Sequence, residues 1–125
     1  MIPAALREEL RAHAREALPN EACGVLAIRD GRAERYYRCI NLDESPYRFS
    51  LSFPDPALPF ELEDAGYEIG IFHSHPETEP RPSKTDVANI GEWEDNPFVI
   101  MRADTGELRA WRIAGGDVSE EQAIA

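Results

Sequence analysis

Residues 67–86 read YEIGIFHSHPETEPRPSKTD, and the chain's architecture is worked out from this stretch. Tyr67 to Phe72 is an apolar run of strand length that delivers His73. On an extended backbone, side chains two apart point to one face. His73 and His75 therefore stand side by side, about 6–7 Å apart along a strand that rises about 3.3 Å per residue. Three prolines between 76 and 82 end the strand in a stiff loop. Ser83 then reads as a helix N-cap, with a helix from Lys84 to about Trp93 and Asp86 in its first turn.

Upstream, Pro3 to Leu18 is an amphipathic helix with an apolar stripe of Leu6, Leu10, Ala14, Ala17 and Leu18, closed by Pro19-Asn20. Ala22 to Ile28 and Ala33 to Ile40 are strands joined by the hairpin signal Asp30-Gly31. Residues 41–66 carry Pro46, Pro54, Pro56 and Pro59. They read as an irregular connection, with a candidate strand at Tyr47 to Phe53 and one or two helical turns at Pro59 to Ala65. The span is open to two readings, a surface loop or the border of a site. Downstream, Phe98 to Met101 is a buried-looking strand, and Asp104-Thr105-Gly106 turns into a strand at Glu107 to Ile113. Gly115-Gly116 precedes a tail from Asp117 that frays or adds one more strand. The order is helix, hairpin, strand, helix, hairpin. It predicts an α/β (α+β) class, with one mixed β-sheet flanked by helices, in a single domain over residues 1–125.

With 125 residues, 42% of them hydrophobic, the chain has enough material for one core. Its net charge of −11 argues against sequence-independent nucleic-acid binding and against an anionic membrane surface. No apolar run approaches the roughly 20 residues of a membrane helix, and the charged N-terminus has no signal-peptide apolar region. Two cysteines, Cys23 and Cys39, make no disulfide framework, so the expected compartment is the reducing cytoplasm.

A hydrolytic metal site needs about three protein ligands, a position for water, and a base beside that water. His73, His75 and Asp86 can provide the ligands; structural histidines on an apolar strand are the alternative. Glu21, just ahead of an apolar strand, ranks first as the base, with Glu77 and Glu79 in the proline-rich loop behind it. Ser83 has two readings, a helix cap and a hydroxyl donor to an oxyanion. Cys23 is either a soft-metal ligand or a small buried residue, and His13 on the first helix reads as structural. There is no H-E-x-x-H helix, no P-C-x-x-C and no phosphate-cradling glycine loop.

A distant Glu21 followed by His73-x-His75, seven residues, Ser83, two residues and Asp86 resembles the JAMM motif of MPN-domain metallopeptidases. The resemblance implies a deaminase-like α/β sandwich. It also implies that His73, His75 and Asp86 bind Zn2+, that Glu21 is the general acid/base, and that Ser83 stabilises the oxyanion. Members of the family cut peptide or isopeptide bonds after the C-terminal glycine of ubiquitin-like proteins. Asn20 to Leu26, the N-x-x-x-S-P-x-x-F between Asn41 and Phe49, Pro82 to Val87 and Glu107 to Ile113 are similar to a bacterial branch. That branch includes a peptidase freeing cysteine from a ThiS-like sulfur carrier protein. Pro76 agrees with the wider family, whereas the span 52–66 is short and proline-rich where the branch carries a fuller helix. The expected activity is hydrolysis of the bond after the C-terminal glycine of such a carrier. An isopeptidase for lysine-linked conjugates and a non-catalytic binding scaffold are the alternatives, and the sequence leaves the oligomeric state open.

Overall fold

The structure is a computed structural model that describes residues 1–121 and 124. Helix α1 spans Ala4–Ala17 and seven strands follow: β1 Cys23–Arg29, β2 Arg32–Asn41, β3 Leu51–Ser52, β4 Glu68–His75, β5 Pro97–Arg102, β6 Leu108–Ala114 and β7 Asp117–Glu120. Helix α2, Leu58–Asp64, lies between β3 and β4, and helix α3, Lys84–Ala88, between β4 and β5. The strands form one sheet in the order β3-β2-β1-β4-β5-β6-β7. Only β4 and β5 pair in parallel; every other neighbouring pair is antiparallel. The mixed sheet expected from the sequence is thus observed.

Each central strand is buried on both faces, which is why its sequence reads as a continuous apolar run. On β1, Leu26 and Ile28 join a core with Leu6, Leu10 and Ala14 of α1. Val25 and Ala27 join the opposite core with Leu58 and Leu62 of α2. Leu6, Leu10 and Ala14 recur every four residues, one helical face. Truncating Leu10, fully buried, to alanine would cost about 2–5 kcal/mol. Leu18, placed on that stripe by the sequence, is instead 44% exposed, because the helix ends at Ala17. The β1–β2 hairpin turns at Asp30 and Gly31, both with positive φ, as a two-residue primed turn requires.

Two expected elements are shorter than predicted. The candidate strand at 47–53 pairs only at Leu51 and Ser52, because the Asn41 side chain takes the Ser50 N–H that would extend the ladder. The helix predicted to Trp93 stops at Ala88. A single 3-10 turn follows at Gly91–Trp93, opened by Gly91 at φ +54. The span 52–66 does carry a helix, the seven-residue α2. The tail from Asp117 adds the edge strand β7. No helix among the described residues is long and apolar enough to cross a membrane.

Candidate metal centre

Strand alternation fixes the first two site residues. Ile69, Ile71, His73 and His75 fall on one face of β4, over the α2-side core, while Phe72 and Ser74 face α1. β4 ends at His75, beside the end of its parallel partner β5, where the crossover leaves the sheet. Crevices outside the carboxyl ends of parallel strands are where α/β sheets hold ligands. The loop at 76–82 then returns the chain as α3, and Asp86, in the first turn, meets both imidazoles.

The Asp86 Oδ2 lies 3.1 Å from His73 Nε2 and 3.2 Å from His75 Nε2, and the two Nε2 atoms are 3.2 Å apart. All three residues are buried. A tetrahedral ion about 2.0–2.1 Å from each ligand atom sets those atoms about 3.3–3.4 Å apart, so the triangle is nearly of the right size.

Proton bookkeeping also asks for a cation here. His75 Nδ1 is 2.7 Å from the Glu79 carbonyl, which only accepts, so Nδ1 carries the hydrogen. A neutral His75 then aims the lone pair of Nε2 at the Asp86 oxygen, so two acceptors at 3.2 Å need either a proton or a metal ion between them. His73 Nδ1 finds no hydrogen-bond partner among the described residues.

Burial would raise the Asp86 carboxyl, but the two imidazoles and the Ser83 N–H outweigh it and hold the group well below the usual carboxylate range. Burial pushes His73 down, with Asp86 pulling against it. Burial acts on His75 in the same way, yet Asp86 and the Glu79 carbonyl prevail and its pKa rises.

Glu21 reaches the site through strand pairing. β1 and β4 run antiparallel with Cys23 opposite His73. Continuing that register past Ala22, whose carbonyl accepts from Ser74 N at 3.0 Å, sets Glu21 opposite His75. Glu21 is 2% exposed and its Oε1 has no partner among the described residues. Burial, then the nearby Asp86, push its pKa up to about 9. Of the other candidate bases, Glu77 and Glu79 are exposed, and Glu79 contributes its backbone carbonyl to His75.

Ser83 caps α3. Its Oγ accepts from Asp86 N at 3.0 Å, and Asp86 Oδ2 accepts from Ser83 N at 2.9 Å, a reciprocal capping box. The cap uses a lone pair and leaves the hydroxyl proton free to donate. Cys23 is not among the metal-ligating group. Burial, then Cys39 and Glu21, push its thiol up to about 12, as befits a small buried residue. His13 Nδ1 lies 2.7 Å from the Tyr36 hydroxyl, away from the triad.

Two clefts open at the centre. One, about 850 Å³, is lined by Glu21, His75 and Ser83 together with Tyr47, Pro76 and Glu77. The other, about 510 Å³, is lined by Asp86 and Phe98 with Phe49, Leu51, Asn89 and Trp93. Thr85 lines both. Ser74, between two histidines on a buried strand, faces the opposite side, where a buried hydroxyl needs a partner. Its Oγ accepts from Ala22 N at 2.8 Å.

The chain is similar to known proteins over most of its length. The family described as prokaryotic homologs of the JAB domain matches residues 3–114. The CysO-cysteine peptidase of Mycobacterium tuberculosis is 38% identical over 127 residues, covering 97% of this chain and 87% of that protein. The desampylase of Haloferax volcanii is 30% identical over 128 residues, covering 95% and 91%. Among solved structures, protein DSY2949 from Desulfitobacterium hafniense superposes with a TM-score of 0.76 at 36% identity, covering 96% of this chain and 88% of that one.

Proposed function

The chain belongs to the prokaryotic JAB-domain family and has its JAMM/MPN fold, and from that premise we propose a zinc-dependent peptidase of the JAMM type. It hydrolyses the bond after the C-terminal glycine of a small ubiquitin-like, ThiS-like sulfur carrier protein and releases cysteine. The observation that carries the reading is the buried triangle of His73, His75 and Asp86, 3.1–3.2 Å on each side, with an unpaired buried Glu21 beside it. The names of the two relatives, CysO-cysteine peptidase and desampylase, support the substrate class.

His73, His75 and Asp86 hold the zinc. Bound there, zinc supplies Lewis acidity that polarises a peptide carbonyl and brings the pKa of a water to about 7. Glu21 takes the proton from the attacking water and returns it to the leaving nitrogen. Burial raises its proton affinity in the metal-free site, which suits the return step; a cation bound beside it would lower that affinity and leave the carboxylate ionised for the first step. The Ser83 hydroxyl, its lone pair engaged by the Asp86 N–H, donates to the negative charge that develops on the carbonyl oxygen. The carrier tail lies extended along the open side of β3, the sheet's edge strand, whose Leu51 lines the Asp86 cleft. The leaving group departs through the cleft lined by Glu21. The compartment we assign is the cytoplasm, which suits two free, buried cysteines.

The size of the Glu21 cleft, about 850 Å³, favours a second reading, in which the leaving group is the lysine of a conjugated protein. One assay separates them. A carrier ending in Gly-Gly-Cys and a lysine-linked conjugate of the same carrier are each incubated with the protein, with EDTA, and with zinc restored after EDTA. Mass spectrometry of the first substrate is expected to show loss of cysteine, abolished by EDTA and restored by zinc. Full activity in the metal-stripped protein would overturn the mechanism.

A further inference from the structure

Residues 41–49, NLDESPYRF, include three residues that the chemistry above leaves without a role: Asn41 and Phe49 through their side chains, and Ser45 through its backbone carbonyl. All three connect to the centre. The Asn41 amide uses its full hydrogen-bonding capacity. Its Nδ2 donates to the Glu21 carbonyl at 3.2 Å and the Arg48 carbonyl at 3.0 Å, and its Oδ1 accepts from Asp43 N at 3.0 Å and Ser50 N at 3.1 Å. Glu21 N donates to the Ser45 carbonyl at 2.8 Å. Both backbone polar groups of Glu21 are therefore tied to this one loop, while its Oε1 has no tether among the described residues.

Phe49 closes the same loop onto the metal ligand that lacks an anchor. A ligating histidine ordinarily donates its second ring N–H to a carboxylate or carbonyl, which fixes the ring about its χ2 axis. His75 does so at Glu79; His73 Nδ1 has no such partner among the described residues. The rotation about χ2 of a histidine is broad and only weakly restrained by itself. The Phe49 ring stacks on the His73 imidazole with centroids 4.4 Å apart and planes 24° from parallel, and Phe98 meets the same imidazole edge-on at 6.2 Å. The imidazole is thus held in a slot of two aromatic rings where its neighbour is held by a hydrogen bond.

We propose that the 41–49 loop is a positioning clamp for the centre, with Phe49 setting the His73 ring and Asn41 setting the Glu21 backbone. This rests on the metal reading of the triad. Phe49 is a positioning residue, since it acts through His73. Loss of its ring frees the imidazole to turn away from the ligating orientation, so the effect falls on metal affinity and on the geometry of the metal site.

The test uses the whole chain stripped of metal. Zinc affinity is read by competition with a chromophoric chelator, and ligand geometry by the visible spectrum of the cobalt(II)-loaded protein. Phe49→Leu keeps an apolar side chain and removes the ring; it is expected to weaken zinc about 10–100-fold and to alter the cobalt spectrum. Phe49→Tyr is expected to restore both. Asn41→Asp keeps the acceptor and removes the donor to Glu21, so it is expected to hold zinc like the parent while turnover falls. The proposal is overturned if Phe49→Leu binds zinc as the parent does. It is equally overturned if tyrosine does not restore the loss, or if Phe49→Leu melts well below the parent without metal, which would mark Phe49 as ordinary packing. If the unaltered protein binds neither zinc nor cobalt, the metal reading itself has failed and takes the clamp with it.

Discussion

The Ser74 hydroxyl accepts a hydrogen bond from the Ala22 N–H at 2.8 Å, and the bond is fully buried. Ser74 stands between the two histidines but faces the other side of the sheet, so it links the strand carrying the ligands to the peptide next to Glu21. Ser74→Ala strands that N–H and should destabilise the protein by about 1–3 kcal/mol. Zinc content should persist, because neither imidazole touches Ser74, while turnover falls as Glu21 drifts. Denaturant titration, metal analysis and steady-state rates decide this; an unchanged rate would show that Glu21 is held without Ser74.

Glu21 and His75 should fail in different ways. Glu21→Gln keeps the volume and the triad but cannot move a proton, so turnover should drop about 10²–10⁴-fold with zinc retained. His75→Ala removes one of three ligands and should release the metal. Metal content and rate, measured on the same preparations, distinguish the two. A Glu21→Gln protein with normal turnover would return the base role to Glu77, the other candidate acid lining that cleft.

Much of this centre was legible because it is local. His73, His75, Ser83 and Asp86 lie on one strand, one loop and one helical turn, so spacing and alternation brought them together. Glu21 lies about fifty positions upstream, and only the antiparallel register of β1 on β4 sets it opposite His75. The irregular connection at 41–66 was the hardest to read. Ahead of the short β3 ladder, the Asp43 and Ser50 N–H groups and the Arg48 carbonyl are satisfied by one side chain, Asn41, and such a network has no periodicity. α3 ends early, at its C-cap Asn89 and ahead of Gly91 at positive φ, although Val87, Ile90 and Trp93 all pack on the core.

Stability should depend on pH in opposite ways with and without metal. In the metal-free protein the Glu21 carboxyl is raised to about 9, against about 4.3 in an unfolded chain. Between those values the folded state binds more protons than the unfolded state, so this contribution to stability falls as pH rises through the window and levels off above it. The raised His75 adds to the same trend, whereas the lowered His73 and His13 oppose it below their unfolded value of about 6.5. With zinc, protons compete for the imidazoles, so the stabilisation fades as pH falls. Melting curves across pH 7–9, in EDTA and in zinc, should slope in opposite senses. The EDTA slope should be shallower in Glu21→Gln; identical EDTA slopes for parent and variant would refute the assignment to Glu21.

Trp111 holds the loop that holds His75. Its indole N–H donates to the Pro80 carbonyl at 2.7 Å, one residue from the Glu79 carbonyl that accepts from His75 Nδ1. Trp111→Phe keeps a ring and leaves a buried carbonyl unpaired, costing about 1–3 kcal/mol. Faster proteolysis within 76–82 and weaker zinc binding should accompany that loss. Weaker stability with unchanged zinc affinity would confine Trp111 to packing.

Ser83 does two jobs that one substitution cannot separate but two can. Replacing an N-cap serine by alanine costs about 1 kcal/mol, whereas glycine costs only a few tenths. Neither variant can donate a hydroxyl proton to an oxyanion, a contribution of about 10²–10³ in turnover. Ser83→Gly should therefore melt close to the parent and Ser83→Ala below it, while both lose turnover to the same degree. Zinc should remain in both, since the Asp86 carboxylate keeps its place beside the two imidazoles and its bond from the backbone N–H of residue 83. If turnover instead tracks stability, high in the glycine variant and low in the alanine one, the hydroxyl serves the helix alone and the oxyanion is stabilised elsewhere.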